Sequence, residues 1–300
     1  MSIYAQICPA ISKNQDKLNK NSFRPFTWNI KGQLRTFDKP LIMGILNVTP
    51  DSFYPGSRVS DLEVLNKAEA MLEEGADILD LGGQSTRPGA TRISQEEEWM
   101  RVAKPVEMIS KRFPQALISI DTFYSHVAKN AVEHGASIVN DISAGSLDPQ
   151  MLKTVASLNV PYILMHMQGE PQTMQNSPEY SDVTGEVIHF LSERLDRLRQ
   201  HGVNDIAIDP GFGFGKLQAH NITLLRELNT LQILDVPILV GLSRKKMTRD
   251  LGNVSMEEAL APSIAAHILA LSEGASIIRV HDVKEHRAAL SLWLAIKKAP

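Results

Sequence analysis

The chain of 300 residues has a single cysteine, Cys8. No intrachain disulfide can form, which excludes a disulfide-stapled secreted scaffold and fits a reducing cytosol. No apolar run approaches the ~18 residues that cross a bilayer, and no basic segment leads into a long apolar core near the first residue. The expectation is a cytoplasmic protein with no membrane anchor. Lysine and arginine never gather into a block: 31 of them against 34 Asp and Glu leave a net charge of -3. That argues against nucleic acid or an anionic membrane as partner. With 43% apolar and 22% charged residues the chain has material for a sizeable core, but composition names no function.

What is present is a recurring unit. The segments EEGADILDLGG (73–83), EHGASIVNDIS (133–143), HGVNDIAIDPG (201–211) and SEGASIIRVHD (272–282) each read as the tail of a helix, a glycine at its C-cap, and a β-branched strand that ends in polar residues. Four more apolar runs, Leu41–Val48, Leu117–Thr122, Pro161–Met167 and Pro237–Ser243, bring the strand count to eight. Amphipathic segments lie between them, among them 61–74, 124–133, 182–200 and 255–273. Continuous, non-alternating apolar strands separated by helices indicate a parallel sheet buried on both faces, and eight repeats favour a (β/α)8 TIM barrel, an α/β fold, over an open doubly wound sheet. Residues 1–38, polar with scattered aromatics (Phe23, Phe26, Trp28), fall outside the pattern. They are expected to form an N-terminal extension that covers the strand N-termini, with residues 39–300 as the barrel domain.

In such a barrel the chemistry sits at the C-terminal ends of the strands. Those ends carry Asn47, then Ser85, Thr86 and Arg87, then Asp121, Asn140 with Asp141, His166, Asp209, Ser243 to Lys245, and Arg279 with His281. Any one of these could be a satisfied structural group; convergence from all eight strands is harder to explain that way. Asp121, Asn140 and Asp209 suit a flat heterocycle that presents adjacent N–H donors, or alternatively Mg²⁺. Arg87, Lys245, Arg279 and His281 suit phosphate. Arg279 and His281 alternate along the last strand, so both face the mouth. On that basis Arg279→Ala is expected to lower turnover with the melting temperature nearly unchanged; the alternative is that Arg279 is a salt-bridge residue that supports the barrel, in which case the variant melts lower and keeps its turnover.

Other local motifs are weaker. GFGFGK (211–216) lacks the spacer and the Ser/Thr of a P-loop and reads as a tight βα turn with Phe214 facing a ligand. Met165 and Met167 in MHMQG read most simply as packing. His126, His134, His189 and His267 lie in helical segments and read as surface or packing residues.

Taken together, LNVTPDSF, DLGGQSTRPGA, SIDTF, VNDISAG, MHMQGEPQTMQ, IDPGFGFGK, VGLSRKKM and IIRVHDV resemble the dihydropteroate synthase family, in that family's order, from about Leu41 onward. The resemblance implies a homodimeric transferase of folate biosynthesis, a sulfonamide target. It joins p-aminobenzoate to 6-hydroxymethyl-7,8-dihydropterin diphosphate and releases diphosphate with the help of Mg²⁺. It implies pterin on Asp121, Asn140, Asp209, Lys245 and Met165, and diphosphate on Asn47, Thr86, Arg279 and His281, with Asn47 also the metal ligand. Thr86, Arg87, Pro88, Phe214 and Ser243 would line the p-aminobenzoate pocket, and Asp51, Ser52 and Phe53 would belong to a mobile loop. Asp121, Lys245, Arg279 and His281 would carry the catalysis. Tyr54 and Pro55 replace the family's usual Ser-Asp, and Gln84 stands where Glu is common. Two alternatives share the pterin residues: a barrel that passes a methyl group from a reduced folate to a corrinoid partner, and a noncatalytic paralogue.

Overall fold

A computed structural model of the chain describes residues 23–48, 58–86 and 89–298. It opens with a hairpin, β1 (Phe26–Ile30) and β2 (Gln33–Phe37), paired antiparallel. Lys31 and Gly32, both at positive φ, make the two-residue turn, the backbone that matches strand twist. Eight parallel strands follow: β3 (Leu41–Asn47), β4 (Ile78–Gly82), β5 (Leu117–Asp121), β6 (Ile138–Asp141), β7 (Tyr162–Met165), β8 (Ile206–Asp209), β9 (Leu239–Val240) and β10 (Ile277–Val280). Their order in the sheet is β8-β7-β6-β5-β4-β3-β10-β9. A parallel bridge between Ile208 and Ile238 brings the two edges together and closes the barrel.

The helices of the outer ring are α1 (Arg58–Glu73), α2 (Gln95–Arg112), α3 (Ser125–Glu133), α4 (Met151–Leu158), α5 (Val183–Gln200), α6 (Gln218–Arg226), α7 (Lys246–Gly252), α8 (Leu260–Ser272) and α9 (Val283–Lys298). The segment expected to be helical from 255 instead begins at Leu260. Ser255 and Glu258 exchange side-chain to backbone hydrogen bonds, which makes a local turn in competition with helix.

Two apolar clusters follow from the two-residue period of the strands. Ile42, Leu46, Leu79, Leu81, Ile118, Ile120, Val139 and Leu164 face the helices. Leu41, Met43, Ile78, Leu117, Ile138, Ile163, Leu239 and Ile277 face inward near the strand N-termini, and Trp28 and Ile30 of the hairpin pack onto them. The hairpin thus seals the bottom of the barrel. One layer higher the interior turns polar, with Asp80, Ser119, Asn140 and Arg279, and this leaves the C-terminal mouth as the polar end.

Candidate active site

The floor of the mouth is an ion-pair fork. Arg279 on β10 donates through Nε to Asp80 Oδ2 at 2.6 Å and through Nη2 to Asp121 Oδ2 at 2.7 Å. Asp80 is fully buried and also accepts from Asn140 Nδ2 at 3.3 Å. Register explains the grouping: Asn47 pairs with Gly82, Gly82 with Asp121, and Asp121 with Asn140 across β3 to β6. A Cβ on Gly82 would lie 3.5 Å from Asn47 Oδ1 and 3.6 Å from Asp121 Cβ, so glycine leaves the space between these two side chains open.

Electrostatics follow from burial. Desolvation raises Asp121 to about 7, against the pull of Arg279 and with the push of Asp80. For Arg279, burial works against the charge, but Asp80 and Asp121 outweigh it and hold the guanidinium firmly protonated. Burial likewise raises Asp209, opposed by Lys245, and lowers Lys245 to about 8, opposed by Asp209.

Asp209 accepts from Gly211 N at 2.7 Å. Lys245 donates to the Phe212 carbonyl, and its Nζ sits 4.9 Å from the Phe214 ring centroid. Met165 ends β7 in register with Asp209 and packs with Phe123, Ile142 and Phe214 as an apolar wall. On the far side Ser243 Oγ bonds His281 Nδ1 at 3.0 Å and accepts from His281 N at 3.2 Å, with His281 exposed at the rim.

Asn47, Asp121, Asn140, Met165, Asp209, Phe214, Ser243, Lys245, Arg279 and His281 therefore all lie at the mouth. Thr86 is half-buried beyond the end of β4. Arg87, Pro88, Asp51, Ser52 and Phe53 lie outside the described residues.

Three rim candidates turn away. Asp141 faces the helix side, where it accepts from Tyr162 Oη at 2.6 Å and from Ser143 N at 2.7 Å. Arg244 forks onto Asp282 at 2.9 and 2.7 Å. His166 packs edge-on against Phe190 of α5, ring centroids 5.0 Å apart. His267 is not merely packing: it accepts from Leu242 N at 3.0 Å and meets His286 Nε2 at 2.9 Å, both histidines buried.

Sequence reasoning passed over Asp80. Its signal was the two-residue spacing to Gly82, which puts it on the same inner face.

The expectation that Arg279→Ala leaves stability untouched does not hold against this geometry, since removing the fork strands two buried carboxylates. The same fork answers the metal alternative for Asp121, whose carboxylate already has a cation. Among the described residues no group of three His, Cys, Asp or Glu side chains is arranged to hold an ion. Asn47 offers a hard amide oxygen. That donor fits an ion bound mostly by phosphate and water, as Mg²⁺ usually is, better than a protein cage.

A family model described as pterin binding enzyme matches residues 43–281. Dihydropteroate synthase of Escherichia coli (strain K12) is 46% identical over 249 residues, which span 82% of this chain and 88% of that protein. The chain belongs to the dihydropteroate synthase family. Xanthomonas albilineans dihydropteroate synthase, solved with 4-aminobenzoic acid, superposes with a TM-score of 0.85 at 42% identity, covering 92% of this chain and 100% of that one. The same organism's enzyme in complex with 7,8-dihydropteroate gives 0.82 at 39% identity, with coverage of 92% and 100%. Dihydropteroate synthases thus match the barrel over nearly its whole length.

Proposed function

We infer that the chain is a transferase of folate biosynthesis that condenses 6-hydroxymethyl-7,8-dihydropterin diphosphate with p-aminobenzoate to give 7,8-dihydropteroate and diphosphate. The observation that carries this reading is the convergence of Asp121, Asn140, Asp209 and Lys245 beside Arg279 at the mouth of a barrel of this family.

Asp209 and Asn140 accept from the adjacent N–H donors of the pterin edge, and Lys245 donates to a ring acceptor. The carbon–oxygen bond to the diphosphate breaks with its electron pair going to the leaving oxygen. The positive charge left on the pterin methylene spreads into the ring, and Asp121 stabilises it. The amine nitrogen of p-aminobenzoate then forms the new carbon–nitrogen bond and gives up one proton. Arg279 spends two of its donors on Asp80 and Asp121; the rest, with Thr86 and His281, bind the diphosphate.

Mg²⁺, when bound, neutralises charge on the diphosphate, and Asn47 is its protein ligand. Thr86, Phe214 and Ser243 surround p-aminobenzoate, and a sulfonamide competes there. Exposed Leu292 and Ile296, one turn apart on α9, and exposed Leu269 on α8 support a homodimer. The lone Cys8 supports a cytoplasmic setting.

The test is diphosphate release measured with each substrate alone and with both. Release that requires both is the expected outcome. Pterin binding without release in any combination would leave a noncatalytic barrel or a methyl carrier.

A further inference from the structure

Beyond Met165 and Phe214, the motifs MHMQG and GFGFGK have no task in this chemistry, and the fold presses them against each other. Gly211 has φ +70°, and a Cβ there would stand 1.9 Å from the His166 carbonyl oxygen. Gly215, at φ +60°, would meet the Gln168 carbonyl oxygen at 2.3 Å. The contact admits no side chain at either position.

Into this seam the chain buries Lys216, 3% exposed. Its Nζ lies 2.8 Å from His166 Nδ1, 3.0 Å from the Gly211 carbonyl and 3.1 Å from the Phe214 carbonyl. An ammonium has no acceptor, so opposite a charged Lys216 the imidazole carries its proton on Nε2. Burial, with Lys216 next, holds His166 neutral, its pKa down to about 3.

Stability alone does not account for an amine here. Asn221 already accepts from Gly213 N at 2.7 Å, and Tyr180 donates to the Gly215 carbonyl at 2.8 Å. A buried amine costs free energy that an apolar residue of the same length would not. What Lys216 adds is a tie between the two ends of the turn that face the pterin. Gly211, at one end, orients Asp209 through its N–H. Phe214, at the other, lays its ring under Lys245.

We propose that Lys216 and His166 form a buried positioning pair that sets the pterin half of the site, holding Asp209 and the Phe214–Lys245 contact in binding geometry. The proposal rests on the reading that pterin lies on Asp209. Neither residue touches substrate; both act through the turn.

The experiment compares Lys216→Met, His166→Phe, their double variant and Asp209→Asn. It measures the dissociation constant of 6-hydroxymethyl-7,8-dihydropterin by calorimetry, the KM for p-aminobenzoate at saturating pterin diphosphate, and the melting temperature. Lys216→Met is expected to weaken pterin binding at least tenfold and His166→Phe at least threefold. The double variant should lose less than the product, as for two members of one unit. Because Phe214 also lines the p-aminobenzoate pocket, the KM for p-aminobenzoate should rise as well, but by less than the pterin dissociation constant.

A pterin dissociation constant within twofold of the parent in folded Lys216→Met, with only the melting temperature lowered, would make the pair scaffold. If Lys216→Met does not fold, unchanged pterin affinity in His166→Phe overturns the proposal in the same way. Asp209→Asn separates the two failures: if it too leaves pterin affinity unchanged, the pterin assignment falls along with the pair; if it weakens binding while the pair does not, only the positioning role is lost.

Discussion

Arg279 holds the charge balance of the mouth. Its guanidinium spans Asp80 and Asp121 with two hydrogen bonds in different directions, which the single ammonium of a lysine cannot reproduce from one position. In Arg279→Ala the two carboxylates remain, Asp80 fully buried and Asp121 nearly so. The expected loss of stability is about 3–5 kcal/mol, the usual cost of removing one partner from a buried ion pair. Turnover should be lost even where the protein is fully folded. Urea unfolding alongside single-turnover kinetics checks both, and an unchanged unfolding midpoint would show that the fork carries no structural weight. Asp80 lies in the middle of β4, so its one local mark is the two-residue spacing to Gly82, whereas Asp121 stands at the end of β5.

At the scale of elements, α2 carries a carboxylate to the back of the loop that follows β4. Ser94 caps the helix by accepting from Glu97 N at 3.2 Å. One residue on, Glu98 is fully buried and accepts from Gln84 Nε2 at 2.7 Å and Thr122 Oγ1 at 3.2 Å. Burial, with Asp121 next, raises its pKa from 4.5 to about 8. Because the folded value lies above the unfolded one, the folded state keeps a proton that the unfolded chain releases. The contribution to stability is full below about 4.5 and is lost as pH rises toward 8. Glu98→Gln keeps the shape and removes the ionisation. The variant should melt above the parent at pH 8.5 and converge with it near pH 5, as followed by thermal melts across that range. A parallel pair of curves would mean Glu98 does not titrate there. Sequence could not single it out, since Glu96, Glu97 and Glu98 share the first turn and only packing decides which of them faces the barrel.

For the whole molecule, the two ends of the barrel have separate jobs. Trp28, 1% exposed, packs edge-on against Phe26 at 5.0 Å and Phe37 at 5.8 Å and closes the N-terminal end. Trp28→Ala should cost about 3–5 kcal/mol through the cavity it leaves. Pterin affinity should hold at temperatures where the variant stays folded, because the chemistry is at the opposite end. Equilibrium unfolding and calorimetry on one preparation test this. A variant that keeps its stability would show that the hairpin is not the seal.

The sequence by itself determined the eight βα repeats, the strand ends that carry polar groups and the family's motifs in order, because helix and strand periodicity and the turn between them are local properties. It did not determine which side of the barrel wall a polar residue takes. In a parallel sheet covered on both faces the apolar pattern does not alternate, so inside and outside look alike along the chain. Asp209 and Asp141 both end strands, yet one faces the mouth and the other a tyrosine behind the wall. The ion pair between Asp80 and Arg279 joins residues 199 apart in the chain, and the Lys216–His166 contact joins two motifs that read separately as a turn and as packing. Only barrel closure, which sets the inner face of every strand at once, decides such pairs.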